Sequence, residues 1–597
     1  MSGDIISLYR ARLAAEKGKI IKDWGGKLRV ALAYPNAYRL GMSNLGFQIV
    51  YRLLNDRPDV VAERFFLPEG PEMSLYLRSQ KPLLSLESQR PLYQFDLVAF
   101  SLSFENDYPH ILTILEMGKI PLLQEDRPDA WPLVMAGGIT TFLNPEPLAP
   151  FMDFFLLGEA EENLAPLLAM LVDTRPREED KTALMRGVMG QVKGLYIPSF
   201  YTPAYAEDGT LAAFTPQVAG AAETISVPKV NEAVFAGTTV STSMVTTPHV
   251  EFGERTLIEL GRGCGRSCRF CAAGYVYRPP RSHSESHLRS CMEIQMQHCS
   301  RLGLLSAAVS DTPGIEDLTS GILARGHTFS VSSLRADTLT RRLLMNLKAS
   351  GQRTVAIAPE AGSERLRRVI NKHLTQEQIL TTVRTIAECG DFTLRLYLLM
   401  GLPTETEADI QEMVDLIKII KHHMIKASSP RGTMGRITLS VNCFVPKPFT
   451  PFQWFPLEAM ESLKQKQKRL RTSLRKTGGI RINTDIPKWA YVQTLLSMGD
   501  RRVSRILVKL HEWGGDWRRA LRYSDVNPDF FVYRPKGLEE RLPWDFMDHG
   551  VSKGHLLHER DRALRAEESE PCHVGSCFRC GACKPDMPHK GGYQGAA

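Results

Sequence analysis

The stretch TLIELGRGCGRSCRFC, residues 256–271, decides how the rest of the chain is read. Its first half is a short apolar run with β-branched residues, which predicts a strand. Its second half sets Cys264, Cys268 and Cys271 in the following loop, three and two residues apart. One loop with those spacings can fold three thiolates around a single metal group. Thiolates are the ordinary ligands of iron–sulfur cubes. Three of them leave one iron of a 4Fe–4S cluster open to an outside ligand, as open metal positions generally serve substrate. Zinc is the alternative, but a three-thiolate zinc site usually adds a nearby His, and this loop has none.

Outward from the loop, the chain alternates strand and helix patterns. TLIELGRG, LLSAAVSD, TFSVSSLR, TVAIAPE, FTLRLYLLMGLP and ITLSVNCFVP read as six strands, with helical segments such as LTRRLLMNLKASG between them. They predict a partial (β/α)6 barrel over 251–485, with its reactive centre at the C-terminal mouth of the strands. Upstream, KLRVALAYP, FDLVAFSLS, WPLVMAGG and MDFFLLGE alternate with helical patterns, so 28–175 reads as a Rossmann-like, doubly wound α/β domain. The small residues Ser101, Ser103, Gly137 and Gly138 at its strand ends suit a ligand crevice. Residues 1–27 read as an N-terminal helix, 176–250 as a β-rich connector, 486–565 as a helical C-terminal region with LPWDFMDHG as a docking loop, and 566–597 as a cysteine-rich tail ending in a disordered HKGGYQGAA. The fold class is α/β.

Length bounds the same picture: 597 residues make three or four domains at roughly 150 residues each. A content of 43% hydrophobic and 23% charged residues is that of a globular protein, and no apolar run is long enough to span a bilayer. The N-terminus lacks a signal-peptide pattern, so the expected location is cytoplasmic. Eleven cysteines without such a leader argue for thiolate ligands rather than disulfides. Four of them form the tail set Cys572-x4-Cys577-x2-Cys580-x2-Cys583, on a segment too polar to build a core, where a metal would supply the folding energy. Zinc and a second 4Fe–4S cluster both suit it, with His573 as a substitute ligand. Cys291, Cys299, Cys389 and Cys443 read as small buried hydrophobes. The net charge of +8 is modest, but KQKQKRLRTSLRK (464–476) crowds Lys and Arg with no acid between them. It is either a solvated helix face or a contact for RNA or phosphate.

CGRSCRFC (264–271) resembles the CxxxCxφxC signature of radical S-adenosylmethionine (SAM) enzymes, with Phe270 as the aromatic residue before the third cysteine. The resemblance implies that the open iron chelates SAM, and that one-electron reduction yields a 5′-deoxyadenosyl radical in an oxygen-sensitive site. APEAGSERLRRVINK (358–372) is similar to the fourth-strand segment of the branch holding methylthiotransferases and cobalamin-dependent members. By that likeness Glu360 accepts hydrogen bonds from SAM, while Gly362 and Ser363 let the backbone approach. The plainer alternative makes Glu360 the cap of the helix that starts at SERLRR. LLMGLPTET (398–406) resembles the loop that passes the adenine, with Gly401 at its turn. Where the superfamily often shows Gly-Gly-Glu, this chain has AAVSDTP (307–313), which leaves Ser310 and Asp311 as candidates for the SAM amino group.

The N-terminal segments YPNAYRLGMSNLG (34–46), SLSFEND (101–107) and AGGITTFLNPEPLAPFMDFFLLGEAEE (136–162) resemble a cobalamin-binding domain, but its Asp-x-His-x-x-Gly motif is absent. Cobalamin binding and a purely structural domain stand as alternatives. With FVPKPFTPFQWFP (444–456) and the four-Cys tail, the whole layout looks like one family of radical SAM proteins that carry such an N-terminal domain. The resemblance implies SAM cleavage fed by a reductant such as flavodoxin or ferredoxin. The expected outcome is cobalamin-assisted methylation of RNA or a ribosome-associated macromolecule. The alternatives are a small-molecule or cofactor-biosynthetic radical enzyme and, from another class, an iron–sulfur electron carrier or scaffold without SAM chemistry.

Overall fold

The computed structural model describes residues 4–129, 132–174, 180–237, 240–251 and 253–583. HKGGYQGAA lies outside them. A helix at Ile5–Ala14 leads into β1 (Leu28–Tyr34), β2 (Val60–Phe66), β3 (Leu97–Ser101), β4 (Leu133–Gly137), β5 (Phe154–Leu156) and β6 (Leu195–Tyr196). They form one sheet in the order β2-β1-β3-β4-β5-β6, parallel except for β6. The register pairs Leu28 with Val60, Val30 with Leu97, Leu97 with Leu133 and Met135 with Phe154.

Sequence pattern missed β2 because Glu63 and Arg64 interrupt its apolar run. Both are buried, and Arg64 is fully so. Its guanidinium meets Glu16 at 2.6 Å and Glu87 at 2.6 Å, which is how a buried cation becomes tolerable.

The connector holds the helix Lys181–Val188, then the antiparallel hairpin β7 (Tyr201–Tyr205) and β8 (Leu211–Pro216) and the short β9 (Ile225–Ser226). The second half opens with β10 (Thr256–Glu259), followed by the two-residue strands β11 (Gly261–Arg262) and β12 (Arg281–Ser282). Next come β13 (Arg301–Leu305), β14 (Thr328–Val331), β15 (Thr354–Glu360), β16 (Thr393–Met400), β17 (Ile437–Cys443) and β18 (Ile480–Thr484). β10-β13-β14 and β15-β16-β17-β18 are two parallel sheets that meet in a single parallel bridge, Leu334 to Ile357. The curve so made is an open barrel. β18 adds a strand to the six expected, and β13 ends at Leu305, so Ser306–Asp311 leaves the sheet as a loop and a short 3-10 turn instead of continuing the strand.

Helices Pro487–Met498, Val503–Glu512, Trp517–Arg522 and Lys553–Leu564 dominate the C-terminal region. LPWDFMDHG docks it: Trp544 is fully buried, its Nε1 donates to Gln453 Oε1 at 2.8 Å, and β19 (Met547–Asp548) pairs with β9. Cys389 and Cys443 are buried, while Cys291 and Cys299 are only half-buried at the edge of the core. Among the described residues no helix is long and apolar enough to cross a membrane.

Candidate active site

The loop that carries the three cysteines is closed at its base, where β11 and β12 pair antiparallel, Arg262 opposite Arg281. Inside it, the Cys271 N–H donates to the Cys268 carbonyl at 3.1 Å and Gly274 to Cys271 at 3.0 Å, winding the chain tightly around the sulfurs. Ser267 takes a left-handed turn at φ +59°, and its carbonyl accepts from Asn371 Nδ2 at 3.2 Å and from the Tyr275 hydroxyl at 3.3 Å. Backbone strain of this kind concentrates at functional sites.

The thiols sense one another. Burial raises Cys264 and the neighbouring Cys268 adds to it, partly offset by the Arg266 N–H and Arg335. Burial pushes Cys271 up to about 12, with Cys268 and Cys264 adding to the rise and Lys372 opposing it. Thiols that burial keeps protonated, as it does Cys264 and Cys271, become ligands only when a metal group displaces their protons. The donor set, the tight winding and the nearby cations fit an iron–sulfur cube. Among the described residues, no three His, Cys, Asp or Glu side chains converge as closely as a single-ion site requires.

Around the sulfurs lies a charged rim drawn from the cysteine loop itself, the segments after β13 and β14, the end of β15 and the turn after the helix Glu364–Val369. Lys372 is 8% exposed and its ammonium donates to Glu360 Oε1 at 3.3 Å. Burial pulls Lys372 down, but Glu360 and Cys268 outweigh it and hold the ammonium above its ordinary value. Glu360 itself has φ +64°, a left-handed backbone at a strand end. It does not cap the next helix: Ser363 does, accepting from the Leu366 N–H at 3.1 Å. Arg335 donates twice to Asp337 at 2.9 Å, and Arg266 grips Asp311 at 2.8 and 2.9 Å.

The sequence-derived residues fall into two groups. Cys264, Cys268, Cys271, Glu360 and Asp311 gather at the mouth. The Ser310 hydroxyl accepts from the Arg335 N–H at 3.3 Å and from Thr338 Oγ1 at 2.7 Å, so it shapes the rim. A SAM amino group reaching Asp311 would share that carboxylate with Arg266. Gly362 and Ser363 sit lower. A Cβ on Gly362 would lie 2.2 Å from Met413 Cα, and Ser363 Oγ donates to Asp409 at 2.5 Å, so both serve the close approach of the helix Glu407–Ser428. Gly401 turns at φ +85° with its N–H on Glu405 Oε1 at 2.9 Å. Phe270 packs on the small apolar cluster of Ala361, Leu366, Leu402 and Phe444. Sequence reasoning missed Lys372 and Arg335; for Arg335 the available signal was a basic residue just past β14, while Lys372 follows the helix Glu364–Val369 and carried no such signal.

Beside the mouth lies a cavity of about 480 Å3 between the C-terminal edge of the first sheet and the cysteine loop. Ser101, Ser103, Gly137 and Gly138 line one wall, and Gly263, Ala273 and Tyr277 line the other. Gly138 holds φ +108°, and a Cβ there would stand 2.2 Å from the Leu102 carbonyl oxygen. Glu159 ties the two walls: it accepts from Arg281 at 2.6 and 2.8 Å, from the Val230 N–H at 2.9 Å, and pairs with Arg262 at 3.1 Å. Burial raises its carboxyl, but Arg281 and Arg262 more than reverse that and hold it below the ordinary 4.5. A depressed carboxyl contributes stability fully above its unfolded value and loses it as pH falls through the folded one. Melting temperature is therefore expected to drop as pH falls from about 5 towards 3, and Glu159→Gln should flatten that decline. An equally steep decline in the variant would remove Glu159 from the account.

A half-barrel with three cysteines after its first strand and a strained, charged rim on its later strands defines a cluster-dependent SAM enzyme. Residues 46–198 match the family model for the N-terminal part of radical SAM proteins, and residues 258–417 match that of the radical SAM superfamily. The chain belongs to this superfamily and is an enzyme that uses a 4Fe–4S cluster and SAM. It is 28% identical over 483 residues to protein MJ0966 of Methanocaldococcus jannaschii, across 80% of this chain and 90% of that one. The ribosomal protein uS12 methylthiotransferase RimO of Chlorobium phaeobacteroides is 23% identical over 284 residues, 45% of this chain and 61% of its own length. Among solved structures, the cobalamin-dependent SAM radical enzyme OxsB with aqua-cobalamin bound aligns with a TM-score of 0.43 at 14% identity, over 82% of this chain and 67% of that one.

Proposed function

We propose that Cys264, Cys268 and Cys271 hold the cluster, and that the enzyme methylates RNA or a ribosome-associated macromolecule with cobalamin seated in the cavity between the sheet and the cysteine loop. The observation that carries this reading is the position of that cavity. It opens directly on the cysteine loop through Gly263, Ala273 and Tyr277, so a ligand there meets whatever reactive end of SAM the loop presents. When bound, the cluster and SAM supply a reactive carbon radical and cobalamin supplies a transferable methyl group. The chain's own residues bind, orient and exclude water. Gly137 and Gly138 let a flat ligand approach the strand ends, and Leu97, Ala99, Met135 and Phe142 give it an apolar floor. Asn44 and Ser103, joined at 3.0 Å, offer hydrogen bonds at the rim. Among the described residues no His lines the cavity, in keeping with the missing Asp-x-His-x-x-Gly motif, so shape and hydrogen bonding would hold the ring.

The macromolecular substrate is supported by the likeness to RimO, whose name places its chemistry on a ribosomal protein. The helix Met460–Leu474 adds Lys468 and Arg471, and Arg475 follows it, all exposed. Its other cations are taken: Lys466 is buried between Glu405 and Glu458, both at 2.7 Å, and Lys464 and Arg469 pair with Glu461 and Glu407. A cavity of this size also accepts a whole small molecule, which favours the small-substrate reading as the second one.

Anaerobic reconstitution followed by spectral titration with cobalamin tests the cofactor, and filter binding of bulk tRNA and rRNA across a salt series tests the substrate. Saturable cobalamin binding and an affinity that falls steeply with salt support the reading. No cobalamin spectrum and no salt-sensitive RNA affinity would move the assignment to the small-molecule enzyme.

A further inference from the structure

The segment Cys572–Cys583 packs against the loop that carries the other three cysteines. The Cys572 N–H donates to the Gly265 carbonyl at 2.7 Å, next to Cys264 in sequence. A Cβ on Gly265 would lie 3.3 Å from the Cys572 carbonyl oxygen, so the two main chains touch. Arg278 joins the sets through its side chain. Its Nη2 donates to Ser267 Oγ at 2.6 Å and its Nε to the Gly274 carbonyl at 2.7 Å, while the same guanidinium reaches the Cys580 thiol. Arg269, fully buried, binds Glu559 at 3.1 Å, the Glu567 carbonyl at 2.8 Å and Ser569 Oγ at 3.1 Å, which nails the tail's approach to the same loop. Cys572, Cys580 and Cys583 are buried, and Cys577 is half-buried beside the exposed Phe578.

We propose that Cys572, Cys577, Cys580 and Cys583 hold a second iron–sulfur cluster that passes electrons to the cluster on Cys264, Cys268 and Cys271 across the Arg278 and Gly265 contacts. The proposal rests on the assignment of that triplet. Four cysteines saturate a cube, so no iron is left open for substrate and electron transfer is the chemistry that remains. Zinc has no redox chemistry, whereas a cluster packed against the first cysteine loop can pass it an electron. The four tail thiols lie in one another's field, as the triplet's do.

The electron count is simple. A low-potential one-electron donor of the flavin or iron–sulfur class gives one electron at the Cys577 corner, and the tail cluster is reduced and then reoxidised as that electron moves on. No bond forms or breaks in the tail and no proton is required. Arg278, with Lys229 donating to its carbonyl at 2.8 Å, puts fixed positive charge between two anionic groups and so eases their simultaneous reduction.

The test is elemental analysis and electron paramagnetic resonance of the reconstituted full chain. Wild type should carry about eight irons per chain, two cubes of four. The Cys577→Ser/Cys580→Ser variant should carry about four, and so should the Cys264→Ala/Cys268→Ala/Cys271→Ala variant. Dithionite-reduced wild type should show two mutually broadened signals, a readout that stands even if the tail variant fails to fold. With reduced flavodoxin as donor, the first cluster of the tail variant should be reduced at least about tenfold more slowly, while photoreduced deazaflavin should serve both proteins equally. One zinc with four irons in wild type overturns the proposal, as do two clusters without magnetic interaction. Eight irons persisting in the triplet variant would instead sink the triplet assignment.

Discussion

Replacing Cys264, Cys268 and Cys271 together with alanine is expected to abolish 5′-deoxyadenosine formation from SAM, by at least about 10³-fold, or about 4 kcal/mol of barrier. The fold should survive, because the loop is held by other groups. β11 and β12 close its base, the Arg269 N–H donates to the Ile370 carbonyl at 3.0 Å, and Asn371 and Tyr275 pin the Ser267 carbonyl. The thiols themselves are half-buried and support little of that architecture. Mass spectrometry of anaerobic, dithionite-driven reactions measures the product, and circular dichroism checks the fold. Product formation at the wild-type rate by a folded variant would withdraw the cluster assignment.

The triplet was legible in the sequence because its chemistry is local: three cysteines in eight residues after a strand need no tertiary contact to be recognised. The barrel strands were legible for the same reason, since β15 carries a short apolar run and β16 and β17 repeat buried apolar residues at the two-residue period of a strand. What stayed hidden depends on partners far along the chain. β2 hides behind Arg64, whose burial makes sense only once Glu16 and Glu87 close on it. Gly362 and Ser363 lie in a motif that pointed to SAM, yet the nearest demand on them is a helix whose Met413 and Asp409 come from fifty residues downstream. The run 464–476 looked like a free cationic face, but Lys466 and Arg469 answer carboxylates at 405, 458 and 407. The docking of the tail beside the first cysteine loop had no sequence signal at all: its contacts are an amide, a guanidinium and a glycine some three hundred residues away.

Lys372 shows how a residue that a motif contains but assigns no role can control the site. Its ammonium is buried, touches Glu360 and lies in the field of Cys268 and Cys271. A cluster bound by three thiolates gains negative charge on reduction, and a fixed cation nearby favours the reduced form. At an effective dielectric of about 20 and a separation of about 6 Å, that preference is worth about 2–3 kcal/mol. Lys372→Met should therefore lower the cluster's midpoint potential by about 90–130 mV, at about 60 mV per tenfold for one electron. SAM cleavage should fall by about 30- to 150-fold at fixed donor potential. Part of this loss comes from Glu360, left as a buried carboxylate with its cation gone. Adding Glu360→Gln to Lys372→Met should thus recover a measurable share of the potential, a reversal that damaged packing would not produce. A redox titration followed by electron paramagnetic resonance reads it directly. If Lys372→Met leaves the potential unchanged, or if the double variant falls further than the single, Lys372 holds the loop in shape and does not set the cluster's charge.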